Sequence, residues 1–239
     1  MSKWQIAALE EMTGFLNRVL PIEKIDIYGS VLDFEQLDVF SDVDMSVFPE
    51  KGFDFQIKDF IDILSGEYEI FGYQMIRHDT HDLLRVCFDT GWRFDISFFY
   101  SKEKEELPAD SFEDKVRAVV NEFWYITSLV IAKIGRGDYL IAAHLALELC
   151  QIVIVIQMMI RDYEKGTNVH RFGDKENVPI LASLFELMSQ PANAKEDVVE
   201  QIRAVLFRAA IQMDEISAQL NVSRADQSDK LRKIAQLFG

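Results

Sequence analysis

The sequence predicts an α+β protein in two parts: a mixed β-sheet flanked by helices, then an α-helical bundle. Three observations carry this. Short strand-like runs alternate with helical periods up to about residue 100. A charged stretch with no apolar period, Lys102 to Asp110 with Pro108 inside it, interrupts the chain. Everything after it carries apolar residues at helical spacing. The expected domains are therefore 1–108 and 109–239.

Within the first part, Ser2 to Leu20 reads as a helix with Ile6, Leu9, Met12, Leu16 and Leu20 on its apolar side, stopped by Pro21. Ile25 to Tyr28 and Asp44 to Phe48 read as strands. Asp54 to Leu64 is helical, with Phe55, Ile57, Phe60, Ile61 and Leu64 apolar and Gly66 as its end. Strands follow at Tyr68 to Arg77, Leu83 to Phe88 and Trp92 to Tyr100, the last two joined by a hairpin at Asp89-Thr90-Gly91. In the second part, Phe112 to Ile134 is a helix capped by Ser111 and stopped by Gly135 to Gly137. Asp138 caps the next, to about Tyr163. A polar loop, Lys165 to Asn177, leads to helices at Pro179 to Met188, Lys195 to Leu220 and Ala225 to Phe238.

The 239 residues suffice for two modest cores, and 49% are apolar. The formal charge of −15 argues against general nucleic-acid binding, which needs cations to displace counterions. It suits a small cationic partner. Cys87 and Cys150 lie in apolar runs and read as buried thiols of a reducing cytoplasm. The start shows no basic and apolar leader, so a cytoplasmic location is expected. Tyr139 to Ile160 is apolar enough to raise a membrane span, but His144, Glu148, Gln151 and Gln157 interrupt it, and a bundle helix is expected. A monomer and a homodimer are both compatible with the sequence.

The chemistry gathers around Gly29-Ser30 and Ser41-Asp42-Val43-Asp44. Gly29 lets backbone N–H groups approach a phosphate, and Ser30 adds a hydroxyl donor. Residues two apart in a strand share a face, so Asp42 and Asp44 present adjacent carboxylates. Adjacent like charges need a neutraliser, and a hard divalent cation is the usual one. Asp95, inside an apolar strand, supplies a third carboxylate. The physical account is two-metal phosphoryl chemistry, with two Mg2+ ions held by Asp42, Asp44 and Asp95.

Tyr28-Gly29-Ser30, Ser41-Asp42-Val43-Asp44 and Phe94-Asp95-Ile96 resemble the nucleotidyltransferase signature of the DNA polymerase beta superfamily. Asn121-Glu122-Phe123-Trp124, with Ala132-Lys133 further on, is similar to the aminoglycoside 6-adenylyltransferases; lincosamide nucleotidyltransferases are similar in layout. The resemblance implies transfer of AMP from ATP to a hydroxyl of a small acceptor bound between the domains, an antibiotic-resistance activity in those relatives. It implies that Lys133 reaches the nucleotide and that an acid near Glu148 serves as general base. Asp95 is the other base the resemblance allows.

The chain departs from that pattern between Gly29 and Asp42. It has no cation there and adds Asp33, Glu35 and Asp38. Compensating charge is expected from Lys133, with Arg77, Arg93 and Arg136 as lesser candidates. His144, Glu148 and Gln151 share one helix face. Glu122 beside Trp124 and Tyr125 is a candidate for the acceptor pocket, and Val169 to Gly173 for a ligand-covering loop. His78 and His81 frame a plain polar turn. Two further readings stay open: modification of a macromolecule such as a protein, and a non-catalytic nucleotide-binding module.

Overall fold

The computed structural model describes residues 4–33, 35, 37–53, 56–99, 111–166, 195–220 and 226–238. It divides the chain into two units, Met1–Pro108 and Ala109–Gly239. The expected helix over Pro179 to Met188, the Val169 to Gly173 loop and the charged stretch Lys102 to Asp110 lie outside the described residues.

The first unit runs α1 (Trp4–Val19), β1 (Ile22–Tyr28), a 3-10 turn (Gly29–Leu32), β2 (Val43–Pro49), α2 (Ile57–Glu67), β3 (Ile70–Arg77), β4 (His81–Phe88) and β5 (Arg93–Phe99). The strands form one sheet in the order β1-β2-β5-β4-β3. β2 and β5 are parallel and the other neighbours antiparallel, so the sheet is mixed. Alternation along the strands sorts the two faces. Val43, Met45 and Val47 of β2, Leu84 and Val86 of β4, and Phe94, Ile96 and Phe98 of β5 are buried in one core with Met12, Phe15 and Leu16 of α1 and Phe60, Ile61 and Leu64 of α2.

Two details differ from the sequence reading. The buried side of α1 is Gln5, Ala8, Met12, Phe15 and Leu16, whereas Ile6 is exposed. A polar residue holds the place expected of an apolar one. Gly66 does not end α2; it lies in the last turn, and the Tyr68 N–H closes the helix on the Leu64 carbonyl at 2.8 Å.

The other face carries the polar residues nearest the Gly29 turn, in three rows that follow the strand register. The first is Tyr28, Asp44, Asp95, Arg85 and Gln74; the second is Asp26, Ser46, Ser97, Leu83 and Ile76. The third sets Lys24 opposite Phe48 and His81 opposite Phe99. There the rings stack side by side: Phe48 on Phe99 at 4.8 Å, Phe99 on His81 at 4.9 Å and His81 on His78 at 4.5 Å between centroids. The two histidines thus extend an aromatic ladder. The hairpin turn forms where expected, with the Gly91 N–H on the Phe88 carbonyl and Gly91 at φ 81°.

The second unit consists of α3 (Phe112–Arg136), α4 (Tyr139–Glu164), α5 (Lys195–Leu220) and α6 (Gln227–Phe238) among the described residues. Ser111 caps α3 by accepting the Asp114 N–H at 3.0 Å, and Gly137 closes it in the left-handed region. α3 packs against α4, α5 and α6, and α4 packs on α5. Trp124 and Tyr125 are buried in α3, and Glu122 beside them is half-buried. α4 is long and apolar enough to cross a membrane by length and composition, and a third of that window is buried here. Its row Ala142, Ala146, Leu149, Cys150, Val153 and Ile156 is buried. Burial pushes the Cys150 thiol up to about 11, which suppresses its thiolate and leaves it a packing residue. Cys87 is likewise buried and unbridged.

Candidate functional site

Gly29 and Asp44 define the site. β1 ends at Tyr28, directly opposite Asp44 on β2. The chain then turns at Gly29 with φ 75°, a conformation that favours glycine. The turn passes so close to β2 that a Cβ at Gly29 would overlap Oδ2 of Asp44 and lie 3.1 Å from its Cγ. Glycine is thus required here for two reasons, backbone angle and space. Ser30 follows in the same 3-10 turn, half-buried, and its carbonyl accepts the Asp33 N–H at 3.1 Å.

The carboxylates come together through strand register. Asp44 and Asp95 are paired directly across the parallel β2–β5 ladder. Asp42 immediately precedes β2, two residues before Asp44. The Asp44 carboxyl is pushed up to about 6, first by burial, then by the charges of Asp42 and Asp95, with Arg85 pulling the other way. Burial is the larger cause, and the charges of Asp42 and Asp95 add to it more than Arg85 removes.

Arg85 was not among the sequence candidates. It lies on β4 opposite Asp95, and its Nε donates to Oδ2 of Asp95 at 3.0 Å. The signal was present: a hairpin centred on Thr90 pairs residues equidistant from it, and Arg85 and Asp95 are such a pair. No three His, Cys, Asp or Glu side chains among the described residues gather in a metal-holding arrangement. The carboxylates are close enough to repel one another and have not converged on one point. Their chemistry suits a hard divalent cation: oxygen donors only, and one carboxyl whose charge burial and two like neighbours disfavour.

Neither family models nor curated proteins match the chain. Among solved structures it is similar to the STING-associated CdnE c-di-GMP synthase from Capnocytophaga granulosa, at 15% identity and a TM-score of 0.28, over 90% of this chain and 81% of that one. A likeness this faint assigns no activity.

The loop between Gly29 and Asp42 explains its own acids. Asp33 accepts the Glu35 N–H at 3.1 Å, and Asp38 accepts the Phe40 N–H and the Ser41 hydroxyl, both at 2.9 Å. These are side chains folding back onto their own backbone, the usual work of Asp in tight turns. Two of the three acids that seemed to oppose a phosphate thus brace the loop. Arg93, a candidate cation for the nucleotide, is buried and donates to the Phe40 carbonyl, so its task is also within the loop.

Lys133 and Glu148 belong to the second unit. Lys133, near the end of α3, pairs with Asp138 at 3.7 Å. Asp138 sits at the start of α4 but its side chain caps no N–H there, which corrects the expected capping role. On α4, His144 and Gln151 are exposed and Glu148 is half-buried, so the stripe is a solvent-reaching face. Arg77 ends β3, and Arg136 is in the last turn of α3.

Proposed function

We propose that this chain is a nucleotidyltransferase that moves AMP from ATP to a hydroxyl of a small acceptor and releases pyrophosphate. One observation supports it above the others: Asp44, packed against Gly29, is a carboxyl whose charge burial and the like charges of Asp42 and Asp95 disfavour. Such a site is stabilised by what it binds, and a divalent cation carrying a triphosphate supplies the opposite charge.

Asp42, Asp44 and Asp95 would hold the cations. Bound there, Mg2+ supplies charge stabilisation for a transferring phosphoryl group. The remaining chemistry falls to the chain. Gly29 and Ser30 turn N–H and O–H donors toward an approaching phosphate. The acceptor oxygen bonds to the α-phosphorus, the bond from that phosphorus to the β-phosphate bridging oxygen breaks, and the hydroxyl proton passes to a base. Glu148 is the base we assign, with Asp95 less suited while Arg85 occupies one of its oxygens. Lys133 is the cation we assign to the nucleotide. The charge of −15 favours a polycationic acceptor, and aminoglycoside-type antibiotics are the first class to try.

The test is pyrophosphate release from MgATP with a panel of aminoglycosides and lincosamides. Release that depends on one acceptor and is abolished by Asp42→Ala supports the reading. No release with any acceptor, or release surviving Asp42→Ala, overturns the small-acceptor version. A second reading, a non-catalytic nucleotide-binding module, draws on the Arg85–Asp95 pair, which engages a carboxylate the chemistry needs. Calorimetric binding of MgATP without turnover, for any acceptor including cell protein, would favour it.

A further inference from the structure

The four residues before Asp42 are held in an unusual way. Each of their consecutive carbonyls accepts a hydrogen bond from a side chain elsewhere in the unit. Gln5 Nε2 donates to the Asp38 carbonyl at 2.7 Å and to the Ser41 carbonyl at 3.1 Å. Trp4 Nε1 donates to the Val39 carbonyl at 3.0 Å. Arg93 Nη2 donates to the Phe40 carbonyl. The clamp is therefore built from the first turn of α1 and the first residue of β5. Its two arms also meet: the Trp4 indole stacks on Trp92, next to Arg93, at 6.2 Å and 7° between planes.

This arrangement is costly and specific. Gln5 is 0% exposed and Arg93 5% exposed. A buried amide and a buried guanidinium destabilise a core unless their donors are met, and a leucine would pack there at lower cost. Gln5 Nε2 and Arg93 Nη2 spend their hydrogen bonds on loop carbonyls, while Gln5 Oε1 is buried without a partner among the described residues. What they fix is the segment that delivers Asp42. Arg93 fixes it against β5 two residues before Asp95, so one side chain joins the backbones that carry two of the three carboxylates.

We propose that Gln5, Trp4 and Arg93 are positioning residues that hold Asp42 in register with Asp44 and Asp95 for cation binding. The proposal rests on the reading of these carboxylates as cation ligands. Partners that orient ligands without touching the metal are worth about tenfold to a hundredfold in affinity.

The experiment measures Mn2+ binding by electron paramagnetic resonance in the presence of a non-transferable α,β-methylene ATP, with amide exchange of residues 38–43 followed by mass spectrometry. Gln5→Met keeps the shape and removes both donors. Trp4→Phe keeps a ring on Trp92 and removes the N–H. Arg93→Lys keeps a charged donor, and Arg93→Met does not. Asn17→Ala, exposed on the same helix, is the control. Expected are faster exchange in the loop and Mn2+ binding weakened about tenfold in Gln5→Met, Trp4→Phe and Arg93→Met, with substantial rescue in Arg93→Lys and no change in Asn17→Ala. If the buried variants fail to fold, Trp4→Phe, made at a partly exposed site, decides alone. Folded variants that bind Mn2+ as the parent does would overturn the clamp and leave the enzyme reading intact. A parent that binds no Mn2+ overturns the cation site, and this proposal with it.

Discussion

Replacing Asp44 by Asn should stabilise the metal-free protein and remove its response to Mg2+. The Asp44 carboxyl stands at about 6 against an ordinary 3.8. A gap of about two pH units corresponds to about 3 kcal/mol, and solvent screening of this partly exposed group reduces it to about 1–2 kcal/mol. The sign follows from proton binding. The folded state holds the proton more tightly than the unfolded state, so stability falls as pH rises from about 4 to about 6, and above that the full penalty remains. Asn is nearly isosteric and uncharged, so Asp44→Asn escapes the penalty at pH 7.5 and gains nothing at pH 4. For a unit of about 100 residues, each kcal/mol shifts Tm by about 4–8 °C. Differential scanning calorimetry in a chelating buffer at the two pH values reads this directly. Adding Mg2+ should then raise the Tm of the parent and leave Asp44→Asn where it was, since only a folded state that binds the ion is stabilised by it. A variant no more stable than the parent at pH 7.5, or a gain that is equal at pH 4, would refute the charge argument.

Three other outcomes are expected. Gly29→Ala places a Cβ against Asp44 in a left-handed backbone, so denaturant unfolding should show a loss of at least about 1–2 kcal/mol, accompanied by loss of any nucleotide binding. Ser111→Ala removes the cap of α3 and should cost about 1 kcal/mol by the same measurement, with nucleotide binding unchanged. Lys133→Ala should weaken the apparent affinity for MgATP about tenfold, a charged hydrogen bond being worth about 1.5–3 kcal/mol; unchanged affinity, by calorimetry, would remove Lys133 from the nucleotide site.

The parts of the fold that were legible in the sequence are those set by period and punctuation. The five strands and the helices α3 and α4 follow from apolar alternation, Ser111, Gly137 and the Asp89-Thr90-Gly91 turn. Of the α1 stripe, Met12, Leu16 and Leu20 are buried as expected and only Ile6 is misplaced, because the polar Gln5 is buried beside it for a loop residue 33 positions away. No local period encodes such a pairing. Arg85 was missed for the opposite reason: the hairpin does encode it, but only to a reader who counts the register outward from Thr90. Asp42, Asp44 and Asp95 are singled out in the sequence by their spacing and by the resemblance that Gly29-Ser30 and Asp42-Val43-Asp44 carry. Their mutual electrostatic coupling is a property of strand order, which puts β2 beside β5 although α2, β3 and β4 lie between them in the chain.

The acidic loop changes meaning once its hydrogen bonds are traced. Read as charge, Asp33, Glu35 and Asp38 oppose a triphosphate. Read as geometry, Asp33 and Asp38 spend their carboxylates on the loop's own N–H and O–H groups, and the loop's carbonyls are spent on Gln5, Trp4 and Arg93. A segment whose donors and acceptors are both committed to the fold is not a phosphate cradle, whatever its charge. That role narrows to Gly29 and Ser30. The loop's contribution is the placement of Asp42 beside the one face of the sheet where the strand register keeps Tyr28, Asp44, Asp95 and Arg85 in line. Arg85 is the cation that the first unit itself brings to this row.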